Sequence, residues 1–144
     1  VSTPEELEGT GSSAWVLKPI TEIPGVRHAL IMTLDGMVTA TSENLTRDVA
    51  DGIGAMTSAM YSSSRAAINA ALEAPVSTPL KMVTAQTDWG TYMVMPVGGD
   101  TNILISAAGD ANMPMGVVAH TLARQAMKLG NHMSVSARTG DGAS

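Results

Sequence analysis

The sequence contains neither cysteine nor phenylalanine. Without cysteine there are no disulfides, no thiolate nucleophiles and almost no route to a structural zinc site, so stability must come from packing. Without phenylalanine, volume is filled by other side chains. Met occurs 11 times, and its flexible thioether fills irregular gaps in a core or makes a surface adaptable; a core role is the expectation here. Long hydrophobic runs are missing too, with nothing near the ~20 residues of a membrane span. The opening residues are acidic and glycine-rich rather than apolar, unlike a signal peptide, which makes the cytoplasm the expected compartment. Clustered positive charge is also absent. The eight Lys and Arg residues are scattered singly against a net charge of −5, and Glu5, Glu6 and Glu8 sit together near the start. No basic stripe exists to neutralise the phosphates of a nucleic acid, and no basic helix to hold anionic lipid.

The catalytic constellations are equally thin. His28, His120 and His132 are too dispersed for a zincin pattern, and ordinary surface or half-buried imidazoles are the expected reading. No Gly-x-Ser-x-Gly elbow is present, and Ser62, Ser63 and Ser64 fall inside a predicted helix, where hydroxyls satisfy local carbonyls. Gly9 to Ala14 imitates a dinucleotide fingerprint, but no strand precedes it. None of Lys18, Lys81 and Lys128 follows a glycine, so no phosphate-cradling Walker loop can form and the chain is not expected to be a GTPase. Asn44-Leu45-Thr46 fits a glycosylation sequon and equally the start of a helix. No catalytic residue, metal site or cofactor is expected.

What is present is a regular alternation of patterns over 144 residues, a length that fits one domain. Residues 1–13 and 134–144 are small and polar and read as mobile tails around a domain over 14–133. Val16, Ile20 and Ile23 have helical spacing, but Pro19 interrupts them, so the first helix is short or kinked. Val26 to Leu34 and Met37 to Thr41 flank Asp35-Gly36, which predicts a hairpin with both turn positions at positive φ. Leu45, Val49, Ile53, Met56, Met60, Ala67 and Ala71 then form one stripe on a helix of some seven turns, capped by Thr46 or Asn44. Gly52 and Gly54 on that helix cost about 1 kcal/mol each relative to Ala, which points to close approach of another backbone. Leu80 to Gln86, Thr91 to Val97 and Asn102 to Ala107 read as an antiparallel meander. The last helix opens near Asn112 and Pro114 with the stripe Met115, Val118, Leu122, Ala126 and Leu129, punctuated by Gly130. The order α-β-β-α-β-β-β-α predicts an α+β domain, an antiparallel sheet with helices on both faces. Arg47, Arg65 and Arg124 read as solvated, with Arg47 pairing to Asp51. Trp89, a large ring in a turn, reads either as a partner contact or as folded back on the sheet.

The stretch Ile23-Pro24-Gly25-Val26-Arg27-His28-Ala29 through Asp35-Gly36, then Thr46-Arg47-Asp48 and Ala50-Asp51 opening a long small-residue helix, resembles the roadblock family of dynein light chains and bacterial GTPase regulators. The likeness continues through Gly90-Thr91-Tyr92-Met93-Val94-Met95 and Gly116 to Gly130, and is nearest to actinobacterial members encoded beside a sensor kinase and a small GTPase. Pro19 departs from the longer first helix of the family. The resemblance implies a five-stranded antiparallel sheet, with the long helix on one face and the terminal helices on the other. It further implies a homodimer joined through the third strands and long helices, with Gly52, Ala55, Met56, Ala59, Leu80, Met82 and Thr84 at the interface. It implies a non-enzymatic scaffold that binds a small Ras-like GTPase, with Arg47 and Trp89 as candidate partner contacts, working with a sensor-kinase system at a membrane periphery. A small-ligand sensory domain with a pocket between sheet and helix is the alternative, and an enzyme the third reading.

Overall fold

A computed structural model describes residues 13–98 and 101–143, with side chains described up to Ser134. The expected N-terminal tail lies, apart from Ser13, outside the described residues. The chain enters through a 3-10 turn, Ala14–Leu17, that runs into the short helix α1, Lys18–Thr21. Pro19 falls in the first turn of α1, where its missing N–H has no intrahelical partner to lose, so the proline is tolerated and the helix stays brief. Strands β1 (Val26–Thr33) and β2 (Val38–Thr41) follow, then the long helix α2 (Arg47–Ala71). Strands β3 (Val83–Thr87), β4 (Gly90–Pro96) and β5 (Ile103–Asp110) lead to the final helix α3 (Met115–Ala143).

All strand pairs are antiparallel and the sheet order is β2-β1-β5-β4-β3. The central strands β1 and β5 pair over seven positions, from Val26 with Gly109 to Thr33 with Ile103. Their interior residues are buried in succession rather than alternately (Ala29 to Met32 and Leu104 to Ala107) because both faces of the sheet are covered. On one face Val16, Leu17 and Ile20 pack with Val118, Leu122, Ala126 and Leu129 of α3 against Ala29, Ile31, Ile105 and Met95. Gln125 joins these layers by donating through Nε2 to the Val16 carbonyl at 2.8 Å, fully inside. On the other face Ala50 and Tyr61 of α2 pack against Leu30, Met32, Val94 and Leu104. The long helix and the terminal helices thus occupy opposite faces, as expected.

Three local expectations need correction, and one with two alternatives resolves to one of them. The β1–β2 connection is not a two-residue turn with two positive φ angles. Thr33 N–H bonds to the Met37 carbonyl at 2.9 Å and Gly36 N–H to the Thr33 carbonyl at 3.0 Å, which makes a three-residue loop. Only Gly36 takes positive φ, at 94°, so one residue meets the demand that two were expected to share. Second, of the two expected caps of α2 it is Thr46 that serves, accepting from Val49 N–H at 3.3 Å, while Asn44 is a left-handed residue in the approach at φ 65°. Third, Arg65 is not simply solvated. Its Nε and Nη2 donate to the carbonyls of Thr78 at 3.0 Å and Ser77 at 2.8 Å, and Asn69 adds a third bond to Thr78 at 3.0 Å. The loop from α2 back to the sheet is held by these donors. Fourth, α3 does not end at Gly130; its backbone continues as helix to Ala143, through the segment expected to be a tail. Gly130 keeps a negative φ, and the Ala and Ser residues beyond it include no proline to stop the helix.

Candidate interaction surface

The helix α2 decides what the domain offers to a partner. Its inward face is Ala50, Gly54, Thr57 and Tyr61, spaced i+4, i+3 and i+4 and all buried. Small and hydroxyl-bearing residues here let the helix lie close to β1 and β2. A Cβ on Gly54 would come within 2.5 Å of the Gly36 carbonyl oxygen, so the glycine is required by the hairpin of the same chain. Gly52, by contrast, faces open space, and a Cβ added there would meet no atom within 4 Å.

The predicted apolar stripe lies roughly a third of a turn away from this inward face, at about 100° per residue. Val49 is 52% and Met56 68% exposed, with Ile53 and Met60 half-buried beside them. The helix α2 thus has two apolar faces, and the one with the larger side chains looks partly outward. Ala55, Ala59 and Gly52 are exposed on the crown of the helix.

Next to the outward stripe is a cavity of about 290 Å³ between α2 and the sheet, lined by His28, Leu30, Ile53, Met56, Thr57, Met60, Tyr92 and Ala108. Its walls are carbon and sulfur almost throughout. The two hydroxyls near it, of Thr57 and Tyr92, are bonded to each other at 2.7 Å, and Thr57 also donates to the Ile53 carbonyl at 2.7 Å. Burial pushes the Tyr92 phenol above its ordinary pKa, an effect tempered by the Ser106 and Thr57 hydroxyls. The alternative reading of the sequence anticipated a pocket between sheet and helix, but not which residues line it. Its residues come from four elements, and the available signal was the second set of small residues on α2.

His28 is the titratable group of this region that bears on stability. Burial, reinforced by the neighbouring Arg27 cation, holds its imidazole below the usual histidine pKa. A folded pKa below the unfolded value means that the unfolded chain binds the proton more readily. The stabilisation is therefore complete above the unfolded pKa of about 6.5 and is lost as pH falls from there through the folded value. The wild-type urea midpoint is expected to decline on acidification across that window, and His28→Gln to flatten the decline; an identical slope in the variant would assign it to other groups.

The second surface is the sheet edge. β3 pairs with β4 alone, and Thr84 to Thr87 are all exposed. Leu80 does not belong to this edge. The strand begins at Val83, and Leu80 is 8% exposed in the core under α2, its carbonyl accepting from the Tyr61 hydroxyl at 3.1 Å. Pro79 and the Arg65–Asn69 clamp turn the chain inward there, before the strand starts. Met82 is half-buried against the terminal-helix face and Thr84 is exposed. At the β3–β4 turn, Trp89 is 91% exposed and so does not fold back on the sheet. Arg47 is exposed and pairs with Asp51 at 3.2 Å, as expected from their i,i+4 spacing. Of the candidate interface residues, the structure brings Gly52, Ala55, Met56 and Ala59 together on exposed α2 and puts Thr84 on the free edge. Arg47 and Trp89 lie at neither a shared pocket nor a charged cluster.

The histidines do not converge. His120 and His132 are exposed on α3, the latter meeting the Trp15 ring edge-on at 5.6 Å. Among the described residues no three His, Asp or Glu side chains are placed to hold a metal ion, and no helix is long and apolar enough to cross a membrane.

A five-stranded antiparallel sheet between one long helix and two terminal ones defines an α+β domain, with an apolar helix face and a sheet edge left open. The chain belongs to the Roadblock/LC7 domain family, whose model matches residues 14–107. Among solved structures, a Roadblock/LC7 domain from Streptomyces avermitilis superposes with a TM-score of 0.73 at 19% identity, over 84% of this chain and 97% of that one. The gliding protein MglB from Thermus thermophilus gives 0.69 at 20% identity over 91% and 96% of the two chains. Myxococcus xanthus MglB gives 0.72 at 8% identity over 85% and 95%. No curated protein matches the sequence.

Proposed function

We propose that this protein is a non-enzymatic, homodimeric scaffold that binds a small Ras-like GTPase and regulates its GTP hydrolysis, in the cytoplasm and in concert with a sensor-kinase system. The observation that carries the reading is the outward apolar face of α2, where Val49 and Met56 are more than half exposed beside an open apolar cavity. An exposed stripe of this kind marks a protein–protein contact. Membership of the Roadblock/LC7 family supplies the GTPase side of the proposal, through the resemblance of its bacterial members to GTPase regulators. One related solved structure is described as MglB in a tetrameric arrangement, which supports self-association as a property of this fold.

The cavity also favours a second reading, a small-ligand sensor. That reading requires polar groups converging on the ligand, yet the Thr57 and Tyr92 hydroxyls are already paired. That leaves the His28 Nδ1 as a single unpartnered polar atom in a lining that is otherwise almost wholly apolar, which fits an inserted side chain of a second copy better than a ligand held by converging polar groups. The GTPase proposal is tested by mixing the protein with small Ras-like GTPases of the same organism, each loaded with GDP or with a GTP analogue. Co-elution in one nucleotide state, or an altered single-turnover hydrolysis rate, is expected. No complex in either state together with an unchanged rate would defeat it.

A further inference from the structure

We infer that the acidic stretch Glu5-Glu6-Leu7-Glu8 of this chain docks along a basic ridge on the outer face of α3, with Glu8 at Lys128 and Glu6 at Arg124. This goes beyond the function proposed above, which gives the outer face of α3 no role. The helix also lies outside residues 14–107, the part of the chain that matches the family model.

Cations that stand singly in the sequence are aligned here by the helix. His120, Arg124, Lys128 and His132 are four residues apart and all exposed. Each step of four rises about 6 Å along the axis and turns about 40° around it, so the row slants across roughly 18 Å of helix. No acidic residue occurs between Asp110 and Asp141, although the chain holds 13 of them. The ion pairs among the described residues, Arg27 with Asp110 and Arg47 with Asp51, do not involve Arg124 or Lys128. These two cations therefore stand uncompensated in a protein of net charge −5.

The slant carries the row to the place where the chain enters the domain. His132 meets the Trp15 ring at 5.6 Å, and Gln125 donates to the Val16 carbonyl at 2.8 Å. Ser13 is thereby held beside the last members of the ridge. Glu8 is five positions before Ser13, a reach of up to about 17 Å, whereas Lys128 lies only about 6 Å back along the helix from His132. Glu6 and Glu8 are at most about 7 Å apart, close to the rise between Arg124 and Lys128. The order agrees as well, since the glutamate nearer the anchor meets the nearer cation. Two fixed cations in single file are too few for an anionic bilayer or a nucleic acid, which are held by clusters of roughly four or more, but they match two glutamates. Exposed ion pairs are individually weak. The covalent tether supplies the rest by holding the glutamates at an effective concentration in the millimolar range.

The absence of cysteine allows a single nitroxide to be attached at Leu7→Cys. Its paramagnetic broadening of backbone amide signals is expected to centre on Arg124 to Lys128 and to vanish in about 1 M salt, where the screening length falls to about 3 Å. Arg124→Glu together with Lys128→Glu should abolish it, at exposed positions that leave the core intact. Adding Glu6→Lys with Glu8→Lys should restore it, which a segment that merely passes nearby would not do. No broadening on α3 at low salt, or broadening unchanged by the charge reversal, overturns the inference. So does broadening of an isotope-labelled, nitroxide-free copy by a nitroxide-bearing one, which would make the occupant the segment of a second copy. Binding of the wild-type protein to phosphatidylserine vesicles that is lost in Arg124→Glu would overturn it too, by giving the ridge to lipid.

Discussion

Alanine at Gly54 is expected to destabilise the fold by about 1–3 kcal/mol, the usual cost of forcing an extra carbon into a packed core, although alanine is the better helix former. The added Cβ would stand 2.5 Å from the Gly36 carbonyl oxygen and 2.7 Å from Val38 Cγ2. The first of these atoms is backbone in a tight loop and cannot rotate away. Relief therefore requires α2 to lift from the β1–β2 hairpin, along a helix whose other inward residues, Ala50, Thr57 and Tyr61, are buried by the same contact. Alanine at Gly52 should do the opposite. No atom lies within 4 Å of that site, so only the helix-propensity gain of about 1 kcal/mol remains. Urea unfolding at equal protein concentration measures both, through the midpoint at constant m-value. Two substitutions of the same sign would mean that the close approach of α2 to Gly36 does not govern the stability of this helix.

The contrast between these glycines marks the limit of what is legible in the residues themselves. Both are recognisable as costly, and close approach is the natural explanation, but only the fold separates the one against the hairpin from the one facing open space. The packed face of the terminal helix reads well because its large residues are the ones that meet the core: Val118, Leu122, Ala126 and Leu129 are all buried. The helix α2 misleads because it has two apolar faces. Periodicity weights large side chains, so it selects Val49, Met56 and Met60, whereas the helix packs through Ala50, Gly54 and Thr57, whose small size permits contact with the sheet. The strand order that makes β3 an edge, and the inward turn at Leu80, depend on pairings and on the Arg65 clamp between residues 12 and 13 positions apart. Local pattern does not carry such contacts. The exposure of Trp89 follows the same rule: a turn residue of that size can fold back or stand free, and only the place of the hairpin tip in the fold decides it.

The second apolar face of α2 leads to the largest effect expected of a single substitution: Met56→Asp should convert the proposed dimer to monomer without unfolding the protomer. Met56 is 68% exposed and borders the apolar cavity beside Ile53 and Met60. In the protomer a carboxylate at this position stays in water and costs little, so the thermal midpoint of the dilute protein should hardly move. In the dimer, pairing of the long helices would bury it against apolar side chains without a partner, and two-fold symmetry repeats the burial. At about 2 kcal/mol for each uncompensated polar group, the two copies weaken association by about a thousandfold. Sedimentation equilibrium compares the variant with Met56→Leu, which keeps the apolar contact and should remain dimeric. A Met56→Asp protein that dimerises as tightly as wild type would remove the outward face of α2 from the interface. The free edge of β3 would then have to join the copies alone.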